Sequence, residues 1–199
     1  MKKNSIKKVL TLVLLAGLIS TPLTVFAATD SENTTINANL GSTISITTSG
    51  SVALNVTPVS GGSQTSASDT VSVSTNNSAG YTLTLADSDA DTDLENGGNS
   101  IVAHAGTQAS PTALANNRWG YRVDSIGGFN TGGAVENNVT SSSITYAGVP
   151  ATGAPNTIKT TAATASGDTT TVWYAVKADT SKPNGTYSDI VTYTATTNP

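Results

Sequence analysis

Five acidic residues stand at every second position in one stretch of the chain: Asp87, Asp89, Asp91, Asp93 and Glu95. Carboxylate oxygens at this spacing converge on Ca²⁺ when a loop wraps around the ion, because a hard cation takes about six to eight oxygen ligands. The match to an EF-hand loop is poor, since Thr92 stands where the sharp turn requires Gly. On an extended strand the carboxylates form a solvated row instead. The stretch predicts either a calcium site or an ordinary acidic loop, and no other cofactor is expected.

Histidine and cysteine, two residue types that often serve in catalysis, are scarce. His104 is the only histidine and the chain has no cysteine, so a zinc site is hard to build. A nucleophile-elbow pattern, which would suit a Ser-His-Asp triad, does not surround His104, and the simpler interpretation is a strand residue at a loop edge. Paired carboxylates for glycoside hydrolysis exist among the acids, but two Trp and two Phe are few for a sugar-stacking cleft. We expect a protein that is not an enzyme.

Two tryptophans lie within strand patterns. A large ring in an all-β domain is usually part of the core, and we expect this of Trp119. Trp173 and Tyr174 are adjacent in sequence, so the alternation of a strand places them on opposite faces. One of these two rings should lie outside the main core, where it becomes a candidate contact surface.

Alternating apolar and polar residues recur along the chain and favour strands over helices. A glycine- and serine-rich loop is expected at 61–68. The turn NNSAG at 76–80 predicts a hairpin between DTVSVST and GYTLTLAD, and TSKPNG predicts a second hairpin near the carboxy end. The expected strands lie at about 44–46, 52–56, 69–75, 80–87, 101–105, 118–124, 141–150, 156–163, 171–179 and 186–196.

Nine or ten such strands with short turns predict an all-β fold, an immunoglobulin-like or jelly-roll β-sandwich. The expected organisation is a signal peptide at 1–27, a flexible segment or extra strand at 28–40, and one domain at 41–199. Disulfides cannot contribute to stability. An isopeptide bond from Lys159 or Lys177 is one covalent alternative, while packing is the ordinary one.

The first residues predict export. Lys2, Lys3, Lys7 and Lys8 precede an uncharged apolar run from Val9 to Phe26. Val25 and Ala27, small residues at the minus-three and minus-one positions, suit cleavage after Ala27 by signal peptidase. An uncleaved membrane anchor is the alternative. We therefore expect a secreted or cell-surface protein, exported by the general secretory route, that meets a membrane only through this segment.

The charge of the exported part restricts its partners. Four of the nine basic residues lie in the predicted signal peptide and all thirteen acidic residues lie beyond it, so five basic residues against thirteen acidic ones leave a net charge of −8. Such a chain is not expected to bind nucleic acid or anionic lipid. Cell-wall glycan, other surface proteins or further copies of the chain remain as partners.

Three stretches carry a resemblance: NNSAGYTLTLAD, LANNRWGYRVD and VWYAVKADTSKPNGTYSDIVTYTAT. In this order they resemble secreted surface proteins of Saccharibacteria-type bacteria, which implies fold and location. AGYTLT is also similar to the WxL family of peptidoglycan-associated domains, although VTYTAT holds no Trp-x-Leu pair. The closing GTYSDIVTYTAT resembles the last strand of spore-coat-U-type fimbrial subunits.

Together these observations predict a non-catalytic β-sandwich protein with a structural or adhesive role in the bacterial envelope. The first alternative is a pilin-like subunit that polymerises when residues 28–40 add as a strand to a neighbour. The second alternative is a carbohydrate-active hydrolase.

Overall fold

The computed structural model describes residues 27–199, and the predicted signal peptide lies almost entirely outside this range. The described part is all-β and contains twelve strands and no helix. Leu40–Pro199 form one compact unit. Residues 27–39 contain no strand, and their side chains are exposed. None of the described residues belongs to a helix that would be long and apolar enough to span a membrane.

The strands have the following bounds: β1 Ile44–Thr47, β2 Ser63–Thr75, β3 Tyr81–Asp87, β4 Leu94–Asn96, β5 Asn99–Ala103, β6 Thr112–Ala113, β7 Arg118–Arg122, β8 Glu136–Val139, β9 Thr145–Tyr146, β10 Asn156–Thr160, β11 Ala165–Ala178 and β12 Val191–Thr197. A seven-stranded sheet has the order β1-β2-β11-β7-β5-β4, with β8 also paired to β2. A three-stranded sheet has the order β10-β3-β12, and β6 pairs with β9. All pairs are antiparallel except β5 with β7.

Both larger sheets contribute side chains to one hydrophobic core. Alternation along β2 directs Val71 and Val73 inward, and alternation along β3 does the same for Tyr81, Leu83 and Leu85, all of which are fully buried. Trp119 is also a core residue, as its sequence context predicts, and is only 3% exposed. Its ring stacks on that of Tyr174, with the ring centroids 6.5 Å apart. Such ring pairs add to the stability gained from apolar burial.

The two predicted hairpins are wrong. β2 and β3 lie in different sheets, and so do β11 and β12, so the chain crosses the core at each of these turns. At 76–80 the side-chain amide of Asn77 donates to the carbonyls of Gly80 and Asn198, at 2.8 and 2.7 Å. These bonds fasten the turn to the end of the other sheet. The alternation of apolar and polar residues fits a hairpin and a connection between two sheets equally well, because both place the apolar side chains in the core.

Two further sequence expectations differ from the structure. The expected loop 61–68 is largely strand, since β2 begins at Ser63 and pairs with β11 over its whole length. The expected strand at 52–56 has the right alternation, with Val52, Leu54 and Val56 packed on the core, but no strand is assigned there. Bonds from side chains hold this segment instead, such as that from Thr65 Oγ1 to the carbonyl of Asn55 at 3.0 Å.

Candidate functional site

An open cleft lies beside the outer half of β11. Strand β7 ends at Arg122, which is paired with Trp173. Residues 169–172 of β11 therefore have β2 on one side and, within residues 27–199, no paired strand on the other. The cleft of about 430 Å³ follows this unpaired edge. Its lining comes from the loop after β7, from β10 and from β11: Val123, Asp124, Ile126, Ile158, Lys159, Thr169, Thr170, Thr171 and Trp173.

Trp173 is the large aromatic ring of this cleft. Tyr174 is buried in the core, whereas Trp173 is half-buried, so the predicted opposite placement of the two rings is confirmed. Thr169 and Thr171 are exposed at alternate positions of the same strand. Gly133 lies against the indole, since a Cβ at this position would come within 2.1 Å of Trp173 Nε1. The cleft thus combines an aromatic ring with threonines and an unpaired strand edge.

Asp124 in the cleft is already engaged by hydrogen-bond donors. Its carboxylate accepts bonds from Arg122 Nε at 2.8 Å and from the backbone N–H groups of Gly132 and Gly133 at 3.0 to 3.1 Å. Partial burial alone would raise the pKa of Asp124, but these donors and the charge of Arg122 lower it below the ordinary value. The group is therefore an ionised acceptor whose bonds position the 130–133 loop, and it is poorly suited to proton transfer.

Lys159 is engaged in the same way. Its Nζ lies 2.6 Å from Asp168 Oδ1 and donates to the carbonyl of Thr169 at 2.9 Å. The other oxygen of Asp168 accepts a bond from the hydroxyl of Tyr81 at 2.8 Å. The two charged groups that line the cleft, Asp124 and Lys159, thus each have a protein partner. What the cleft offers to a ligand is an aromatic face, hydroxyl groups and backbone groups.

The acidic stretch does not form the single row or the single wrapped loop that its spacing suggests. Asp87 ends β3 and is fully buried, and Asp89 and Asp91 are exposed. Three successive turns connect them, in which the backbone N–H groups of Asp89, Asp91 and Asp93 donate to the carboxylate two residues earlier, at 2.8 to 3.1 Å. Such local bonds are common for Asp in turns.

The later acids of the stretch lie apart from Asp87. Asp93 accepts bonds from the N–H of Ala103 at 3.1 Å and from Ser100 Oγ at 3.2 Å, which ties the loop to β5. Asp91, Asp93 and Glu95 each bring one carboxylate oxygen within 4.8 Å of the others. The loop is also fastened by Trp119, whose Nε1 donates to the carbonyl of Thr92 at 2.9 Å. The structure thus brings together three of the five predicted metal ligands.

His104 follows β5 and is buried, with 8% of its surface exposed. Its Nε2 lies 2.8 Å from Thr112 Oγ1. Within residues 27–199 its Nδ1 has no hydrogen-bond partner, so the carboxylate that would orient a catalytic imidazole is not found there. Burial lowers the pKa of His104 below its ordinary value. The neutral ring packs between β5 and the loop that follows.

Comparison with protein families, with curated proteins and with solved structures finds no match for this chain. The site must therefore be interpreted from its own geometry. Sequence reasoning missed the cleft at the β11 edge, because the cleft arises where β7 ends and this depends on strand pairing. It also missed Asp189, which lies beside Asp87. The sequence did hold a signal that Asp189 faces inward: it stands at every second position with Tyr187, Val191 and Tyr193.

Proposed function

We propose that this chain is a non-catalytic protein of the bacterial cell surface, a β-sandwich of the immunoglobulin-like or jelly-roll type that binds cell-wall glycan or another surface component. The single observation that supports it is the cleft of about 430 Å³ beside the β11 edge. The ring of Trp173 is half-buried, and Asp124 and Lys159 both already have partners. The predicted export signal, the net charge and the resemblance to Saccharibacteria-type surface proteins support a location at the cell surface.

Neutral sugars fit the chemistry of this cleft. An indole face stacks against the C–H groups of a sugar ring, while threonine hydroxyls and unpaired backbone groups bond to its hydroxyls. Strongly charged ligands fit less well, since each charged side chain of the lining is already engaged. A hydrolase would need a carboxyl group that holds a proton close to neutral pH, whereas the pKa of Asp124 is lowered. Binding without turnover is the function that this lining favours.

Glycan binding is tested by a pull-down of the purified protein with insoluble cell-wall polysaccharide, followed by titration with soluble fragments. Trp173→Ala should weaken binding by roughly 5-fold to 150-fold, since a stacked ring contributes roughly 1–3 kcal/mol. Tyr187→Phe is a matched control, because its half-buried ring lies outside the cleft and only its bond to the Pro183 carbonyl is lost. Equal binding by the wild type and Trp173→Ala would exclude the cleft as the glycan site.

A polymerising subunit is the second candidate, and a separate observation favours it. Ile36 and Leu40 are 85% and 84% exposed, and they alternate with Asn37 and Asn39 in the way that an added strand requires. The unpaired edge of β11 at 169–172 is a place where the strand of a neighbour can add. In this case the surface role is structural, and the partner is a second copy of the chain.

A further inference from the structure

Two acidic residues occupy inward positions on neighbouring strands. On β3, alternation places Asp87 on the same face as Leu83 and Leu85. On the segment that enters β12, it places Asp189 on the same face as Val191 and Tyr193. Asp87 is paired with Val191 in the β3–β12 ladder. Residues two apart on a strand share a face, so Asp189 lies diagonally next to Asp87 on the side that faces the core.

Each of these carboxyl groups has one satisfied and one unsatisfied oxygen. Asp87 is 0% exposed; its Oδ1 accepts the N–H of Asp89 at 3.0 Å, and its Oδ2 is buried without a partner. Asp189 Oδ1 accepts the N–H of Ile190 at 2.7 Å, and its Oδ2 is likewise buried without a partner. Leaving a buried charged oxygen unpaired is costly, so this arrangement calls for a proton shared by the two carboxyl groups or for a cation between them.

The negative charges around Asp189 strengthen the need for a proton or a cation at the two buried oxygens. Burial, the adjacent Asp87 carboxyl group and the negative charge of Asp89 raise the pKa of Asp189 above its ordinary value. The charged groups that act on Asp189 are both acidic. Two negative charges at these buried oxygens would repel each other unless a proton or a cation joined them.

Backbone bonds hold the segment that carries Asp189. The N–H of Ser88 donates to the carbonyl of Ile190 at 2.9 Å, and Glu95 and Ser188 exchange two bonds of 3.0 Å. On the other side, the N–H of Asp87 donates to the carbonyl of Pro150 at 2.7 Å, and the carbonyl of Asp89 accepts the N–H of Thr152 at 3.0 Å. Backbone bonds on both sides thus hold the acidic loop and the segment that carries Asp189. They fix the position of the two carboxyl groups before any ligand binds.

We propose that Asp87 and Asp189 bind a hard divalent cation, Ca²⁺, through their two buried Oδ2 atoms. Asp89 adds a third negative charge beside them. The two carboxyl groups offer oxygen atoms, which suit Ca²⁺, an ion that takes about six to eight oxygen ligands. The cation fastens the loop after β3 to the segment that enters β12. This site differs from the exposed group Asp91, Asp93 and Glu95, and it does not depend on the proposed glycan binding.

The test is a set of thermal melts of the purified protein at pH 7.5, in chelator and in excess CaCl₂. Binding at about one hundred times Kd should raise the Tm by roughly 5–10 °C. Asp189→Asn should lose this rise. The variant should still fold, and in chelator it should melt no lower than the wild type, because its amide can donate to Asp87 Oδ2. The matched control is Asp91→Asn with Glu95→Gln, which removes two carboxylates from the exposed group and should keep the rise.

Two outcomes would overturn the proposal: no effect of CaCl₂ on the Tm, or a rise that survives in Asp189→Asn. If CaCl₂ leaves the Tm unchanged at pH 7.5, a shared proton alone joins the pair. The wild type should then become more stable between pH 7.5 and 5.5, and Asp189→Asn should not. If the rise survives in Asp189→Asn, the cation binds elsewhere. If the rise disappears in the Asp91→Asn, Glu95→Gln control and persists in Asp189→Asn, the exposed group is the calcium site.

Discussion

At the scale of single residues, the structure repeatedly places a polar side chain at an inward position and supplies it with one specific partner. Tyr81 shows this most clearly. It is 0% exposed, and its hydroxyl donates to Asp168 Oδ2 at 2.8 Å. Burial and the adjacent Asp168 carboxylate raise the pKa of Tyr81 above the ordinary value, so the phenol keeps its proton and remains a donor. Asp168 in turn is held by Lys159.

Two substitutions of Asp168 should distinguish the contribution of its bond with Tyr81 from that of its ion pair with Lys159. Asp168→Ala leaves the buried hydroxyl of Tyr81 without its acceptor and should cost about 1–3 kcal/mol of unfolding free energy. Asp168→Asn keeps an acceptor for Tyr81 and loses only the partly exposed pair with Lys159, which should cost about 1 kcal/mol or less. Urea denaturation of the two variants checks the difference. Equal losses would show that the bond to Tyr81 contributes nothing.

The same carboxyl group predicts a dependence on pH. The bond from Lys159 and then the bond from Tyr81 hold the pKa of Asp168 below its ordinary value. A lowered pKa in the folded protein means that the stability is complete above the unfolded pKa of about 4 and is lost as the pH falls through the folded value. Wild-type stability should therefore fall more steeply below about pH 4 than that of Asp168→Asn, measured by urea denaturation at successive pH values.

At the scale of strands and turns, the sequence predicts the faces of strands better than their partners. Alternation in GYTLTLAD and RWGYRVD correctly identifies β3, β7 and the buried side chains on them. It did not reveal that β2 and β3 lie in separate sheets, because the turn at 76–80 has the same composition in a hairpin and in a crossing. Alternation could also have placed Asp87 and Asp189 inward. Their proximity depends on the register of β3 with β12, which is set by packing far along the chain.

The crossing turn depends on one glycine. Gly80 has a φ of +80°, and a Cβ there would come within 2.3 Å of the carbonyl oxygen of Thr161. Gly80→Ala should destabilise the protein by about 1–3 kcal/mol, since it combines the strain of a positive φ with a backbone clash. Gly97→Ala is the matched control, because Gly97 also has a positive φ, of 60°, but nothing lies within 4 Å of its Cβ. Thermal melts that show equal losses would contradict the clash.

At the scale of the whole molecule, the two proposed surface roles differ in assembly. A glycan-binding domain works as a single copy, whereas a polymer needs residues 28–40 to pair with a neighbour. Size-exclusion chromatography with light scattering should show a ladder of masses if strand addition occurs, and deletion of residues 28–40 should reduce it to one mass. Replacing Ile36 and Leu40 with Ser should weaken the ladder without shortening the chain. A single mass for the wild type would exclude polymerisation under those conditions.

Both ends of the compact unit are fastened to the same turn. Asn76 accepts the N–H of Thr43 at 2.7 Å and donates to the carbonyl of Gly41 at 2.9 Å, while Asn77 binds the carbonyl of Asn198. Tension between residues 41 and 198 would therefore separate β1 from β2 and β12 from β3 one residue pair at a time, starting at the end of the unit that holds the 76–80 turn. The unit should yield at low force when pulled by its ends, and Asp87 and Asp189, at the far end of β3, should be among the last groups of that sheet to separate.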